Sequence, residues 1–257
     1  MNVFLLKLLL TPLLIMAATL AARRWGPVIG GCLAALPLSS GVISFFLAFE
    51  QGPDFGLAAA TNSVLGQVAV IVFCVAYFRA SMRFSWLPCM GVTLVCYFTA
   101  VKTLSYCAIP VAGSTVMVLA LLTAALYSNG HPEATGSSVT PPWWDIPIRM
   151  AAATGLLLII TGVAPLLGPG LSGLLSVFPV FTFVMALFTH KQYGGKAVRK
   201  LMHGIMFGIY AGTAFFATLA LLMQSFSLPV VYLIASLVCA AVGGGTLKAL
   251  SFFRATG

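Results

Sequence analysis

Two prolines set inside long apolar stretches, Pro37 and Pro179, are the residues of this sequence best placed to do chemistry. A proline in a helix removes one amide donor and frees the carbonyl four residues earlier, here on Leu33 and Leu175. Ser39, Ser40 and Ser44 follow the first proline and Thr182 follows the second. Each proline sits about ten residues into its stretch, which is about 15 Å of helix and so the middle of a hydrocarbon core about 30 Å thick. Carbonyls and hydroxyls gathered at that depth could hold a polar or ionic solute between broken helices. The same letters also describe an ordinary kink satisfied by neighbouring helices.

Other polar residues fall in apolar surroundings. Thr61, Asn62, Ser63 and Gln67 make one stretch the most polar of the first half, with Ser63 and Gln67 one helical turn apart. Asn62 and Gln67 either line a polar path or bond between helices. Its counterpart in the second half carries His203, Tyr210 and Thr213 with Gly204, Gly208 and Gly212 at four-residue spacing, the pattern of close helix packing. Lys7 and Arg149 could each hold an anionic head group or solute, or simply snorkel to an interface. Glu50 reads as a loop acid, and no buried carboxylate marks a proton relay. The connection 190–203, with four cations, reads as a loop meeting anionic lipid.

Enzymatic chemistry finds no support: paired carboxylates, HExxH, a nucleophile elbow and a phosphate loop are all lacking. Gly243-Gly244-Gly245 lies in an apolar stretch and reads as packing or hinge. The six cysteines fall singly, without CxxC or a histidine at ligand spacing, and read as small buried hydrophobes. Neither cofactor nor metal is expected.

The elements that must position these residues follow from composition. Of 257 residues 61% are hydrophobic and 7% charged, which a soluble domain could not tolerate. Long apolar runs in hydrocarbon must be helices, so the fold class is all-α, a polytopic transmembrane bundle. Nine spans are expected, at 3–21, 27–49, 57–78, 86–104, 107–127, 147–166, 170–189, 202–223 and 228–250. Thirteen Lys and Arg against four acids give a net charge of +9. With the N-terminus outside and the C-terminus cytoplasmic, all of these cations except Lys7 and Lys102 fall on or near the cytoplasmic side. The charge is therefore a topology signal, and no nucleic-acid partner is expected. The segment 128–145, with Pro141-Pro142-Trp143-Trp144, reads as an inside linker ending in an aromatic anchor. The first 25 residues, which lack a leading basic region and end in Arg23-Arg24, read as a retained span instead of a cleaved signal.

Sliding the sequence on itself by 142 positions lays Gly26-Pro27 on Gly168-Pro169 and Pro37 on Pro179. Gly31/Gly173, Gly52/Gly194, Gly66/Gly208 and the basic pair Lys7/Arg149 also coincide. This predicts two four-helix repeats, 1–105 and 146–257, joined by a linker helix and loop over 106–145. An odd helix between them makes the second copy point the opposite way. Similar composition without common descent is the plainer alternative.

The run Ser172-Gly173-Leu174-Leu175-Ser176-Val177-Phe178-Pro179-Val180-Phe181, followed by Gly194-Gly195, resembles the GlpM family of small bacterial inner-membrane proteins. Those chains are about half as long, so this one is similar to a tandem fusion of two. The likeness is clearest over 147–225; in the first copy Leu36-Pro37-Leu38-Ser39 replaces Phe-Pro-Val-Phe. It implies a bacterial inner membrane and a loose association with exported polysaccharide, and supplies no mechanism. The expectation is a secondary transporter or flippase for a small or lipid-linked, anionic solute, with membrane lipids as partners and homo-oligomerisation open. The other reading is an accessory subunit of an envelope polysaccharide or lipid biosynthesis complex.

Overall fold

The computed structural model describes residues 3–107, 109–130, 142–163 and 178–255, and among these every regular element is a helix. In chain order they are α1 (Val3–Trp25), α2 (Pro27–Ala34), α3 (Leu38–Gln51), α4 (Pro53–Ala80), α5 (Trp86–Leu104), α6 (Val111–Asn129), α7 (Asp145–Val163), α8 (Val180–Leu222) and α9 (Leu228–Ala255). Five of them, α4, α5, α6, α8 and α9, are long and apolar enough to cross a membrane by length and composition. Large apolar side chains such as Leu87, Val95, Val116, Leu221 and Leu237 stand on the outside of the bundle. A water-facing surface would not carry them so densely, whereas lipid accepts them.

Glycine and proline cut the helices. Gly26 (φ 94°, ψ 164°) and Gly52 (φ 93°, ψ 169°) each precede a proline that opens the next helix, Pro27 and Pro53. A backbone at those angles is open essentially to glycine alone, and proline at the first helical position forfeits only an amide that has no partner there. Gly194 (φ 79°, ψ 179°) has the same conformation inside α8, dividing it into 180–193 and 195–222. The expected loop at 190–203 is thus helical on both sides of a one-residue break. Ala197, Val198, Leu201 and Met202 are buried there, and that packing fixes the helix while its cations point away from the core.

Element boundaries recur at the 142-residue displacement seen in the sequence. Leu38 and Val180 open α3 and α8, Ala80 and Leu222 close α4 and α8, and Trp86 and Leu228 open α5 and α9. Direction can be read from contacts. A Cβ on Gly212 would lie 3.4 Å from Gln67 Nε2, whereas a Cβ on Gly195 would meet the Ser81 carbonyl. Rising numbers in α4 therefore face falling numbers in 195–222, so these two helices run antiparallel. In the same way Arg23 at the C-terminal end of α1 meets Asp145 at the N-terminal end of α7.

The core is where the halves cross. α2 lies along 195–222 in parallel register, with Cβ atoms on Gly204 and Gly208 directed into the carbonyls of Val28 and Cys32. The four-residue glycine spacing thus has the expected purpose of close backbone approach. Phe73 and Tyr77 of α4 and Leu201, Met202, Ile205 and Ile209 of α8 are fully buried in this core. Cys32, Cys74, Cys89 and Cys239 are buried and unpaired as expected, Cys96 is half-buried and Cys107 is exposed.

Candidate functional site

Pro37 and Pro179 sit one residue before helices instead of inside them. Pro37 (φ −76°, ψ 42°) caps α3 and Pro179 (φ −80°, ψ 68°) caps α8, so the two are alike in conformation as well as position. The proline in the first half therefore does not kink a continuous helix; residues 35–37 separate α2 from α3. The Leu33 carbonyl expected to be free accepts the Leu36 amide at 3.3 Å, because the chain tightens into a short turn there. Leu175 lies outside the described residues.

Around that break the polar groups are sparse but placed. Gln67 is buried, and its amide nitrogen and the Ala35 carbonyl both lie about a Cβ contact from Gly212, 3.4 and 3.5 Å from where a side chain there would begin. Ser44 and Tyr232 share a hydrogen bond of 2.6 Å between α3 and α9. Thr213, next to Gly212, is buried with its hydroxyl unpartnered. Thr182 is buried on the first turn of α8, whereas Ser40 and Asn62 are exposed. The side chains of Ser39, Lys7 and Glu50 lie outside the described residues. Leu36 and Phe181, flanking the two prolines, line one groove together with α1.

The strongest electrostatic feature was not expected. Asp145, read as the tail of a linker, is fully buried at the head of α7 and corrects the expectation that no carboxylate is buried. Arg149 Nε donates to its Oδ1 at 2.8 Å and Arg23 Nη2 donates to its Oδ2 at 2.7 Å, while Gln192 Nε2 also donates to Oδ1. Arg149, expected at a membrane face, is only 2% exposed; its guanidinium lies 5.1 Å from the Phe188 ring centre and near Met185 Sδ. A charge leaves water only where another offsets it, and Asp145 supplies that offset one helical turn away. The i, i+4 spacing of Asp145 and Arg149 was the available sequence signal. Two guanidinium groups around one carboxylate leave a net positive charge at the junction of α1, α7 and α8.

A second buried cluster joins α4 to α8. Tyr77 Oη lies 3.3 Å from His190 Nδ1, and the two rings meet edge to face. Lys102 stands 5.0 Å from the Tyr106 ring centre and is exposed, in keeping with a residue at a helix end. Among the described residues no group of three or more His, Cys, Asp or Glu is placed to hold a metal ion.

No protein-family model, no curated protein and no solved structure matches this chain.

Proposed function

We propose that this chain is a secondary transporter or flippase, moving a small or lipid-linked anionic solute by alternating access between two inverted repeats. The observation that carries the reading is the antiparallel crossing of α4 with 195–222, two helices that occupy equivalent places in halves broken at the same positions. Inverted repeats with interrupted helices are the usual architecture of secondary transporters, because exchanging the conformations of two like halves exposes one site to each side in turn. In this reading the site lies between the breaks at Pro37 and Pro179, with Gln67 and Thr182 as buried polar groups and Ser40 and Asn62 along the approach. Arg149 contributes its positive charge from inside the buried cluster with Asp145, and Lys7 is its sequence counterpart in the first half. The remaining features of the proposal are nine spans, an inner membrane, an external N-terminus and the GlpM-like descent implied by the second-half motif.

Asp54 and Lys196 are exposed and equivalent, and they test the architecture. In a cysteine-free background, Asp54→Cys and Lys196→Cys should react with an impermeant maleimide from opposite sides of the membrane; reaction from the same side sinks the inverted arrangement. For function, purified protein should gain thermal stability with some members of a panel of organic anions and lipid phosphates.

The close seam of α2 on 195–222, where backbone meets backbone at Gly204 and Gly208, favours the second reading, an accessory subunit of an envelope biosynthesis complex. A packed seam there leaves no room for a solute without movement. Absence of any stabilising anion would decide for it.

A further inference from the structure

Arg23 and Arg24 are neighbours at the end of α1 with different tasks. Arg23 turns inward to Asp145, while Arg24 stands on the rim of a groove of about 400 Å³ between α1, α2 and the start of α8. The groove floor is almost wholly apolar: Ala17, Leu20 and Ala21 from α1, Leu33 from α2 and Phe181 from α8. Small alanines on α1 leave room between the helices, and the lining residues Leu20 and Trp25 are about half exposed. From Leu14 to Arg24 it follows ten residues of helix, about 15 Å, which is the depth of one leaflet of a core about 30 Å thick. An apolar channel one leaflet long, ending in an arginine and a tryptophan, matches one class of molecule in both shape and charge.

We infer that this groove is a binding site for an anionic glycerophospholipid, with one acyl chain lying along α1 and the phosphate on Arg24. Trp25, whose ring centre is 5.9 Å from the Arg24 guanidinium, marks the level of the head group. The site requires only that α1 faces lipid, so it stands whether or not the chain transports a solute. A zwitterionic lipid offers the same chains without net charge and so separates the contribution of Arg24 from that of the floor.

The experiment is native mass spectrometry of the full chain titrated with dioleoylphosphatidylglycerol or dioleoylphosphatidylcholine in detergent. Wild type should retain one phosphatidylglycerol in preference to phosphatidylcholine. Arg24→Gln should weaken that adduct about fivefold, the weight of one basic residue at an anionic surface. Ala17→Phe, at an exposed position on the groove wall, should abolish it while leaving the elution volume of the protein unchanged. Leu237→Ala, on the exposed face of α9, should leave it intact. Equal retention of the two lipids, or undiminished binding by Ala17→Phe, overturns the assignment. So does a second copy of the chain occupying the groove, seen as a dimer that lipid does not dissociate.

Discussion

In each half of the chain a glycine with φ between 79° and 93° turns one helix into the next, but the residue two positions before that turn is Glu50 in the first half and Gln192 in the second. The same contrast runs through the neighbouring positions: Val3 answers to Asp145, Lys7 to Arg149, Asn62 to Gly204 and Val70 to Gly212. Backbone breaks are shared because they set the path of the chain, and that path needs glycine at its turns. Side-chain chemistry is not shared. Asp145, Arg149 and Gln192 of the ion cluster all come from the second half and only Arg23 from the first, whereas the seam draws glycines from both, Gly31 on α2 and Gly204 and Gly208 on α8.

The ion cluster gives the largest test of that asymmetry. Asp145→Ala leaves Arg149 buried without its counter-charge, and removing one partner of a buried pair costs about 3–5 kcal/mol. The partial exposure of Arg23 makes its own bond a small part of this, so Arg23→Gln should cost about 1 kcal/mol or less. Unfolding of the purified variants in detergent checks both; equal losses would show the cluster to be solvated and the asymmetry superficial.

Legibility in the sequence followed the range of the interactions. The four-residue glycine spacing is a local signal, and it predicted structure that is present, close approach at Gly204 and Gly208. Asp145 was missed although Arg149 follows it at i+4, because its other partners, Arg23 and Gln192, come from α1 and α8 and a carboxylate after Trp143-Trp144 looks like the end of a loop. The region 190–203 was misread because Lys191, Lys196, Arg199 and Lys200 dominate its composition, although Val198, Leu201 and Met202 between them recur at helical spacing. Pro37 was placed correctly in the chain and wrongly in its helix. A proline alone does not reveal whether the turn before it will tighten, as residues 33–36 do.

Next in size is the seam. Alanine in place of glycine within a helix ordinarily gains about 1 kcal/mol from propensity. At Gly204 the added Cβ would meet the Val28 carbonyl, a backbone atom that cannot rotate away, so α2 must shift. Gly204→Ala should therefore destabilise by about 2–3 kcal/mol despite the propensity gain. A stabilised Gly204→Ala protein would mean that α2 and α8 are not held in this register.

At the turns the halves should behave alike. Nothing lies within 4 Å of a Cβ at Gly52 or Gly194, so alanine there meets backbone strain alone. Each substitution should cost about 1–3 kcal/mol, and the two should agree within measurement error. A large difference would show that one of the two helix–turn–helix units bears more of the fold than the other.

The smallest effect belongs to Asn62, the counterpart of Gly204. It is exposed on α4, whereas Gly204 is buried against α2. Asn62→Leu should change stability by no more than about 0.5 kcal/mol. An anion that stabilises wild type should, in the proposed path, stabilise the variant less, because the amide is then part of the approach to the site. If stability and anion response are both unchanged, Asn62 is outside the path and polar function in α4 contracts to Gln67, the buried residue beside Gly212.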